Sequence, residues 1–454
     1  MNPSRTKLSV LVATLILLLL CSSAISAQAP MVKSSGNDER PAQALFEDAN
    51  GYLGRRYQEF NKQKLPYDSK LEQRTKQEQL DLAKQNALTL RARKKFKGDD
   101  LYYLGLLYHL ANDGNAALAS MQEFLKNNRD GSKAQSGRSV VVLYATKSND
   151  LPTAEAAVKD YQVHEPQLAE DRYKMEFLLA DAYQRLNKFD MVVEHAEKIL
   201  EAAKNFASTN KDETFKRDDM LLKSAIMLSN GYMKTSQKQK AVEMFSELRR
   251  LALALPSGSL YKQSTINLRF LDPKFNAQQL FEDVAALPKP NLPEIIATQW
   301  IDQQPVKLSE LRGQVILLDF WATWCGPCRY TFPKLTEWNK SYKDKGLVIL
   351  GLTKYYGRAD TRPLTPGEEL VYLREFKKRN QLSYGFVVGD SNVNDLNYGV
   401  LSIPTTFLID RQGIIRFIST GSGEEEIAQL GSMIKKVMDE PMSPINTSEN
   451  SDKK

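Results

Sequence analysis

Apolar residues recur every three or four positions from about residue 42 to 285, which predicts helices throughout this part of the chain. The polar stretch before it, residues 28–41, contains Pro and Gly and is predicted to be a flexible leader. The helical pattern ends at "ALPKPNLPEII" (Ala286–Ile296), whose three prolines predict a junction between domains. We therefore expect an all-α region followed by a domain of a different class.

Beyond the junction the apolar residues come in short runs that are typical of buried strands. Four such runs are Val315–Phe320, Leu347–Leu352, Thr405–Asp410 and Ile414–Ser419. Amphipathic stretches between and after them predict helices at Cys328–Lys343, Glu368–Asn380 and Glu424–Met438. This alternation predicts an α/β domain over residues 286–440. Residues 441–454 have no apolar pattern and are predicted to form a disordered tail.

The helical region contains a loose internal repeat. In three copies a tyrosine is followed nine positions later by a small or branched residue: Tyr108 with Ala117, Tyr183 with Val192, and Tyr232 with Ala241. A degenerate copy lies around Tyr144 and Ala154. Such a tyrosine fills the gap between paired helices, and the small residue lets them approach closely. The spacing resembles the tetratricopeptide family, and the resemblance implies a protein partner on these repeats; an irregular helical bundle is the alternative.

The N-terminus has the order of segments found in a secretory signal. Arg5 and Lys7 precede an apolar run, Leu8–Leu20, and small residues follow. We expect cleavage near Ala27, which makes residues 1–27 a signal peptide. The alternative is an uncleaved membrane anchor, because the apolar stretch is long enough to span a bilayer. Either interpretation predicts a periplasmic or other extracytoplasmic location for the rest of the chain.

The charge of the chain argues against one class of partner, and its cysteine content draws attention to two residues. The formal charge of +7 is mild for 454 residues, and no basic block is interleaved with aromatic residues, so nucleic acid is not an expected partner. The chain has three cysteines, and cleavage would remove Cys21. Cys325 and Cys328 would then be the two thiols of the mature protein, whereas an exported protein held together by disulfides carries several pairs.

The stretch "VILLDFWATWCGPC" predicts a buried strand that leads through a short loop into a helix. Cys325 would lie at the helix N-terminus, where unpaired N–H groups and the helix dipole favour a thiolate, the attacking form of the sulfur. Cys328 would lie one turn further on the same helix face. Pro327, after Gly326, suits a first helical turn. We expect Cys325 to be exposed at the helix tip and Cys328 to face inward.

Three other uses of the two cysteines are less consistent with the sequence. A structural disulfide that spans three positions would stabilise almost nothing. Zinc needs four ligands, and the three histidines, His109, His164 and His195, all lie in the helical half, so no metal site is expected. A peroxiredoxin would have Thr three positions before its reactive cysteine, whereas Thr323 is two before Cys325.

From about Leu292 to Glu440 the chain resembles the thioredoxin family, and within it the exported TlpA/ResA-like branch. The motif "WCGPC" is specific to that family, and Ile403, Pro404 and Thr405 match its active-site proline loop. The resemblance implies a thioredoxin fold, a cis bond before Pro404, and a substrate strand that pairs with the backbone beside it. It also implies that this loop binds the substrate together with three residues of the motif, Trp324, Gly326 and Pro327.

Asp319 lies six residues before Cys325, where thioredoxins have a buried aspartate that helps to deprotonate the second cysteine. A buried acid whose pKa is raised is a suitable base near neutral pH. Relatives in the exported branch often have Asn at this place, and Glu where this chain has Thr331. The strand "LVILGL" also lacks the lysine that pairs with the aspartate in thioredoxins. A buried acid without a catalytic role is therefore the alternative for Asp319.

Two functions are compatible with these features. The first is an exported thiol–disulfide oxidoreductase that exchanges its CGPC dithiol with protein thiols and disulfides, with no cofactor besides the redox-active Cys325–Cys328 pair. Gly-Pro between the cysteines resembles reducing members, so we expect a reductase supplied with electrons by a membrane thiol carrier. The second is a tetratricopeptide interaction scaffold whose dithiol is sensory or vestigial.

Overall fold

A computed structural model describes residues 39–275, 292–359 and 361–441. The predicted signal segment, most of the leader, part of the domain junction and nearly all of the tail lie outside these ranges. The chain forms two compact units, one that ends at Asp113 and one that begins at Gly114. No helix among the described residues is both long and apolar enough to cross a membrane.

The described part of the first unit consists of four helices. They are α1 (Ala42–Asn50), α2 (Tyr52–Lys62), α3 (Ser69–Arg91) and α4 (Asp100–Leu110). Asp68 caps the longest of them, α3, by accepting hydrogen bonds from the backbone N–H groups of Lys70 and Leu71. The buried contacts between the helices are made by small and aliphatic side chains such as Leu45, Ala87 and Leu104.

The second unit begins with eight helices. They are α5 (Gly114–Asn127), α6 (Ser132–Lys147), α7 (Leu151–Gln162), α8 (Ala169–Arg185), α9 (Phe189–Thr209), α10 (Thr214–Lys234), α11 (Lys238–Ala254) and α12 (Gly258–Leu271). Three successive pairs, α6/α7, α8/α9 and α10/α11, are joined by the same kind of turn, in which one residue has a positive φ: Asn149, Asn187 or Ser236. The left-handed residue lets the chain leave the first helix sharply. These pairs agree with the predicted two-helix repeat; the tetratricopeptide assignment itself stays a prediction.

A buried polar cluster joins α7, α8 and α9. Both ring nitrogens of His195 are within hydrogen-bonding distance of carboxylates, Nδ1 at 2.7 Å from Glu176 and Nε2 at 2.9 Å from Glu155. Tyr183 stacks on the His195 ring and donates a hydrogen bond to Glu155. Buried polar groups are costly unless they are paired, and these pair one another across three helices.

The rest of the second unit is an α/β sandwich with a six-stranded sheet. Its strands are β1 (Gln299–Ile301), β2 (Val315–Phe320), β3 (Leu347–Lys354), β6 (Gly385–Gly389), β7 (Thr405–Ile409) and β8 (Ile415–Ser419), and a separate hairpin contains β4 (Arg358–Ala359) and β5 (Arg362–Pro363). The order across the sheet is β1-β6-β3-β2-β7-β8, with β2, β3 and β6 parallel and the other neighbours antiparallel. This thioredoxin fold after a helical region confirms the predicted fold class.

Helices α13 (Gly326–Tyr342), α14 (Pro366–Arg379) and α16 (Glu424–Asp439) accompany the sheet, and a short helix, α15 (Val393–Asn397), precedes β7. Trp321 contacts Phe332 of α13 and Phe376 of α14, which places both helices on one face. The connections between the parallel strands explain this. Helix α13 connects β2 to β3 and α14 lies between β3 and β6; both connections move across the sheet in the same direction, and because such connections are right-handed, both helices lie on the same face.

The last helices of the helical region pack against the sheet as well. The ring of Tyr261 in α12 meets the ring of Phe417 in β8 edge-on, with 6.1 Å between their centroids. Buried residues of α8 to α12 and of the sheet form one continuous hydrophobic core. The helices and the α/β part of this unit therefore share a core, although the sequence assigns them to separate domains.

Candidate active site

The cysteine pair lies where a buried strand meets a helix. All six residues of β2 are buried, and the chain then turns through residues 321–325 into α13. Cys325 is the N-cap residue of α13, and its sulfur accepts a hydrogen bond from the backbone N–H of Cys328 at 3.1 Å. Cys325 and Cys328 are joined by a disulfide. The first turn of the helix thus holds both sulfur atoms in bonding contact.

The exposure of Cys325 differs from the sequence expectation. In this oxidised form Cys325 is only 3% exposed, and Cys328 is fully buried as expected. Gly326 and Pro327 are exposed beside them, and Trp324 is 43% exposed. Since the sulfur of Cys325 is bonded to that of a buried residue, it is drawn toward the interior, and the exposed surface of the motif comes from its other residues.

The proline loop lies next to this turn because of strand register. The bond between Ile403 and Pro404 is cis, and β7 begins at the next residue, Thr405. Thr405 pairs with Phe320, the last residue of β2, in the antiparallel ladder. The Thr405 hydroxyl donates a 2.8 Å hydrogen bond to the carbonyl of Ser402, which closes the loop. The C-terminal end of β2 and the start of β7 are therefore side by side, and this brings together the two segments that are predicted to contact the substrate.

Asp319 lies on β2 beneath the cysteine turn and is completely buried. Its strand neighbours are Gly351 on β3 and Thr406 on β7. The Thr406 hydroxyl donates a 2.8 Å hydrogen bond to Oδ1, while Oδ2 has no hydrogen-bond partner in the described part of the chain. Burial opposes ionisation and raises the pKa of Asp319 to about 7, although the hydrogen bond from Thr406 lowers it.

Two further buried polar atoms around Gly351 also lack a partner among the described residues, Nε1 of Trp321 and Oη of Tyr384. A Cβ on Gly351 would lie 3.0 Å from that Trp321 nitrogen and 3.2 Å from the Tyr384 ring. The indole and phenol therefore occupy the space that a side chain at position 351 would need. The aspartate consequently has a mostly apolar surrounding and no cation beside it on β3.

The segment after β3 contributes residues that sequence reasoning did not identify. Tyr356 meets the Trp324 ring edge-on, with 5.3 Å between centroids, and the guanidinium of Arg358 lies 5.8 Å from the centre of the same ring. These contacts hold a half-exposed indole against the β4–β5 hairpin. Nothing in the sequence of this segment showed that two of its residues reach the cysteine motif.

Thr331 and Arg329 support the motif from inside α13. The Thr331 hydroxyl donates a hydrogen bond to the Cys328 carbonyl at 2.7 Å, and Arg329 donates one to the Thr323 carbonyl at 2.7 Å. Thr331 is buried with its hydroxyl satisfied by its own helix. Asp319 is accordingly the titratable carboxylate that the described structure places beneath the disulfide.

Comparison with known proteins agrees with this geometry. The AhpC/TSA family profile matches residues 288–418. The thiol-disulfide oxidoreductase ResA of Bacillus thuringiensis subsp. konkukian is 30% identical over 145 residues, which are 32% of this chain and 75% of ResA. ResA of Geobacillus thermodenitrificans is 34% identical over 131 residues, 28% of this chain and 68% of that protein.

Among solved structures, a Chlorobium tepidum protein assigned as the thiol:disulfide interchange protein DsbE is similar over 32% of this chain and 94% of its own, with 27% identity and a TM-score of 0.28. The residues that the family profile matches include the cysteine motif and the proline loop. With this profile match and the two ResA proteins as relatives, the chain belongs to the thioredoxin-like family of ResA-type thiol–disulfide oxidoreductases.

Proposed function

We propose that the protein is an exported thiol–disulfide oxidoreductase that reduces disulfides of other proteins outside the cytoplasm through Cys325 and Cys328. The observation that carries this proposal is the pair itself: two cysteines in disulfide contact at the start of α13, beside a cis-proline loop. Export rests on the order of basic, apolar and small residues at the N-terminus. A membrane thiol carrier is the proposed electron donor.

The proposed cycle starts from the reduced dithiol. The Cys325 thiolate attacks one sulfur of a client disulfide, forms a mixed disulfide and displaces the second client sulfur, which takes up a proton. The Cys328 thiolate then attacks the Cys325 sulfur and displaces the first client sulfur. Two electrons have passed from the protein dithiol to the client, and the Cys325–Cys328 disulfide of this structure has formed.

Asp319 is proposed to accept the proton of Cys328 in the second step. Its burial beneath the motif and a pKa raised to about 7 suit a base that works near neutral pH. Trp324, Gly326 and Pro327 are proposed to contact the client on one side, and Ile403, Pro404 and Thr405 on the other. The exposure of the first three supports this, since they form the accessible surface of the motif.

Insulin reduction tests the proposed function. The mature chain, with dithiothreitol as electron donor, is expected to accelerate the precipitation of reduced insulin chains, and Cys325→Ser is expected to abolish the acceleration. Equal inactivity of both proteins would overturn the proposal and favour an interaction scaffold with a sensory or vestigial dithiol. Redox titration against glutathione tests the direction, because a potential near about −120 mV is typical of a strong oxidant and would contradict a reductase.

A further inference from the structure

The last helix of the helical region is hydrogen-bonded to the segment that leads into the proline loop. The backbone N–H groups of Gly258 and Ser259, at the start of α12, donate hydrogen bonds of 3.0 and 2.8 Å to the carbonyls of Tyr398 and Gly399. The first N–H groups of a helix have no partner within the helix, so they are available for such contacts. The chain reaches Ser402 and the proline loop after two further residues, Val400 and Leu401.

The contact between α12 and the loop leaves no spare room. A Cβ on Gly258 would lie 3.0 Å from Cγ2 of Thr405, the residue that follows Pro404. Gly399 has a φ of +54°, and a Cβ there would lie 2.8 Å from the hydroxyl of Ser257. That hydroxyl in turn donates a hydrogen bond to the buried Asp218 of α10. Two helices of the helical region therefore define where this stretch of the loop can lie.

A side chain of α12 reaches further into the loop. Nζ of Lys262 donates a 2.9 Å hydrogen bond to the Ser402 hydroxyl, and Ser402 is the residue before Ile403. The Ser402 carbonyl also accepts the hydrogen bond from Thr405. Ser402 is thus held from α12 on one side and from β7 on the other, directly beside the backbone that is proposed to pair with a client strand.

We propose that α12 is a positioning element of the client-binding loop and that Lys262 is its positioning residue. This inference rests on the proposed function and deepens it: the helical region takes part in how a protein disulfide is bound. The family profile matches residues 288–418, whereas α12 ends at Leu271, so this support comes from the helical region that precedes the matched residues. Lys262 acts through Ser402 and touches neither cysteine in the described contacts, so it governs client binding and leaves the sulfur chemistry alone.

The experiment compares a protein disulfide with a small one. For Lys262→Met we expect the KM for insulin to rise about fivefold, as the loss of one hydrogen bond of ordinary net strength implies, with kcat unchanged. The rate with bis(2-hydroxyethyl) disulfide should stay the same, because this substrate has no peptide backbone to pair with the loop. Lys262→Arg retains a donor and should restore most of the affinity. Lys223→Met is the matched control, since Lys223 is paired with Asp219 within α10.

A double-mutant cycle shows whether Lys262 acts through Ser402. Ser402→Ala should raise the insulin KM as Lys262→Met does, and the double variant should raise it no further. Additive effects, an unchanged KM in Lys262→Met, or an equal loss with both substrates would each overturn the inference. The wild-type protein separates this failure from that of the proposed function, because inactive wild type refutes the latter, whereas active wild type with unaltered variants refutes only the role of Lys262.

Discussion

Thr406 Oγ1 donates a 2.8 Å hydrogen bond to Oδ1 of Asp319, across the β2–β7 ladder and inside a fully buried environment. A single hydrogen bond from a neutral hydroxyl stabilises the ionised carboxylate only partly, so desolvation dominates and the pKa of Asp319 is raised to about 7. The strand neighbour on the other side is Gly351, which offers no side-chain donor. The pairing of these strands thus leaves the acid poised near neutrality, and this has consequences for stability and for catalysis.

The stability of the fold should depend on pH through Asp319. The folded pKa of about 7 lies above the ordinary value of 3.8, so the native state binds more protons than the unfolded state between these values, and the free energy of unfolding falls as pH rises across this window. Asp319→Asn should remove this pH-dependent loss of stability and raise the free energy of unfolding at pH 8 by up to about 4 kcal/mol. At pH 3, below both pKa values, the two proteins should be equally stable. Urea unfolding at both pH values measures the difference, and a destabilised variant at pH 8 would contradict the prediction.

The same titration should appear in the second step of the exchange. Resolution of the mixed disulfide should accelerate as pH rises through about 7, because the ionised Asp319 then accepts the Cys328 proton. In Asp319→Asn this acceleration should be lost, while attack by Cys325 keeps its own pH dependence. Stopped-flow measurement of mixed-disulfide decay separates the two steps. Identical pH profiles for the wild type and the variant would leave Asp319 a buried acid without a catalytic role.

Cys328→Ser should accumulate mixed disulfides with client proteins, because the thiol that resolves them is absent. Cys325→Ser should trap far fewer, since Cys328 is fully buried inside the first turn of α13, whereas Cys325 caps the helix between the exposed residues Trp324 and Gly326. Non-reducing gels of the purified variants after incubation with an oxidised protein measure the trapped fraction. Comparable trapping by the two variants would show that the assigned roles are wrong.

Gly351→Ala should destabilise the domain. The added Cβ would lie 3.0 Å from Trp321 Nε1 and 3.2 Å from both the Phe386 and Tyr384 rings, which are packed in the core and cannot yield easily. Overpacking of this kind costs about 1–3 kcal/mol. Gly367→Ala is the matched control, because a Cβ at that position of α14 meets nothing within 4 Å. Its expected effect is neutral or stabilising by up to about 1 kcal/mol. Chemical denaturation should therefore show that the two variants change the free energy of unfolding with opposite sign or by clearly different amounts.

A chain truncated at the predicted domain junction should not fold stably, whereas a chain truncated at the boundary between the two compact units should. A chain that starts at residue 286 lacks α12, so Phe417 loses the ring contact with Tyr261 and the core that the helices share with the sheet is opened. We expect this fragment to aggregate or to bind a hydrophobic dye. A chain that starts at Gly114 keeps the whole second unit and should stay folded. Thermal unfolding and insulin reduction compare the two, and a soluble, fully active fragment from residue 286 would show that the helices are dispensable.

Local patterns were sufficient for much of the α/β part. The strand over Val315–Phe320 was predicted with the bounds that the structure has, because five apolar residues among six consecutive positions are a local signal. Helix α13 was also predicted closely, from a proline in the first turn and the amphipathic stretch after it. The interior strand β6 (Gly385–Gly389) was not predicted, since its strand-forming residues are a run of only three, Phe386 to Val388, between two glycines. It forms because β3 offers it a parallel edge.

The sequence by itself determined the chemistry: two cysteines one helical turn apart after a buried strand, and an acid on that strand that would be inaccessible to water. These properties follow from covalent spacing and from periodicity, which need no long-range contact. Only the tertiary structure decided that Thr406 would pair with Asp319, that Tyr356 and Arg358 would hold Trp324, and that Lys262 would reach Ser402. The residues of these contacts lie as far as 140 positions apart along the chain. Strand order, register and the docking of α12 bring them together, and these depend on which surfaces bury most apolar area in the folded molecule.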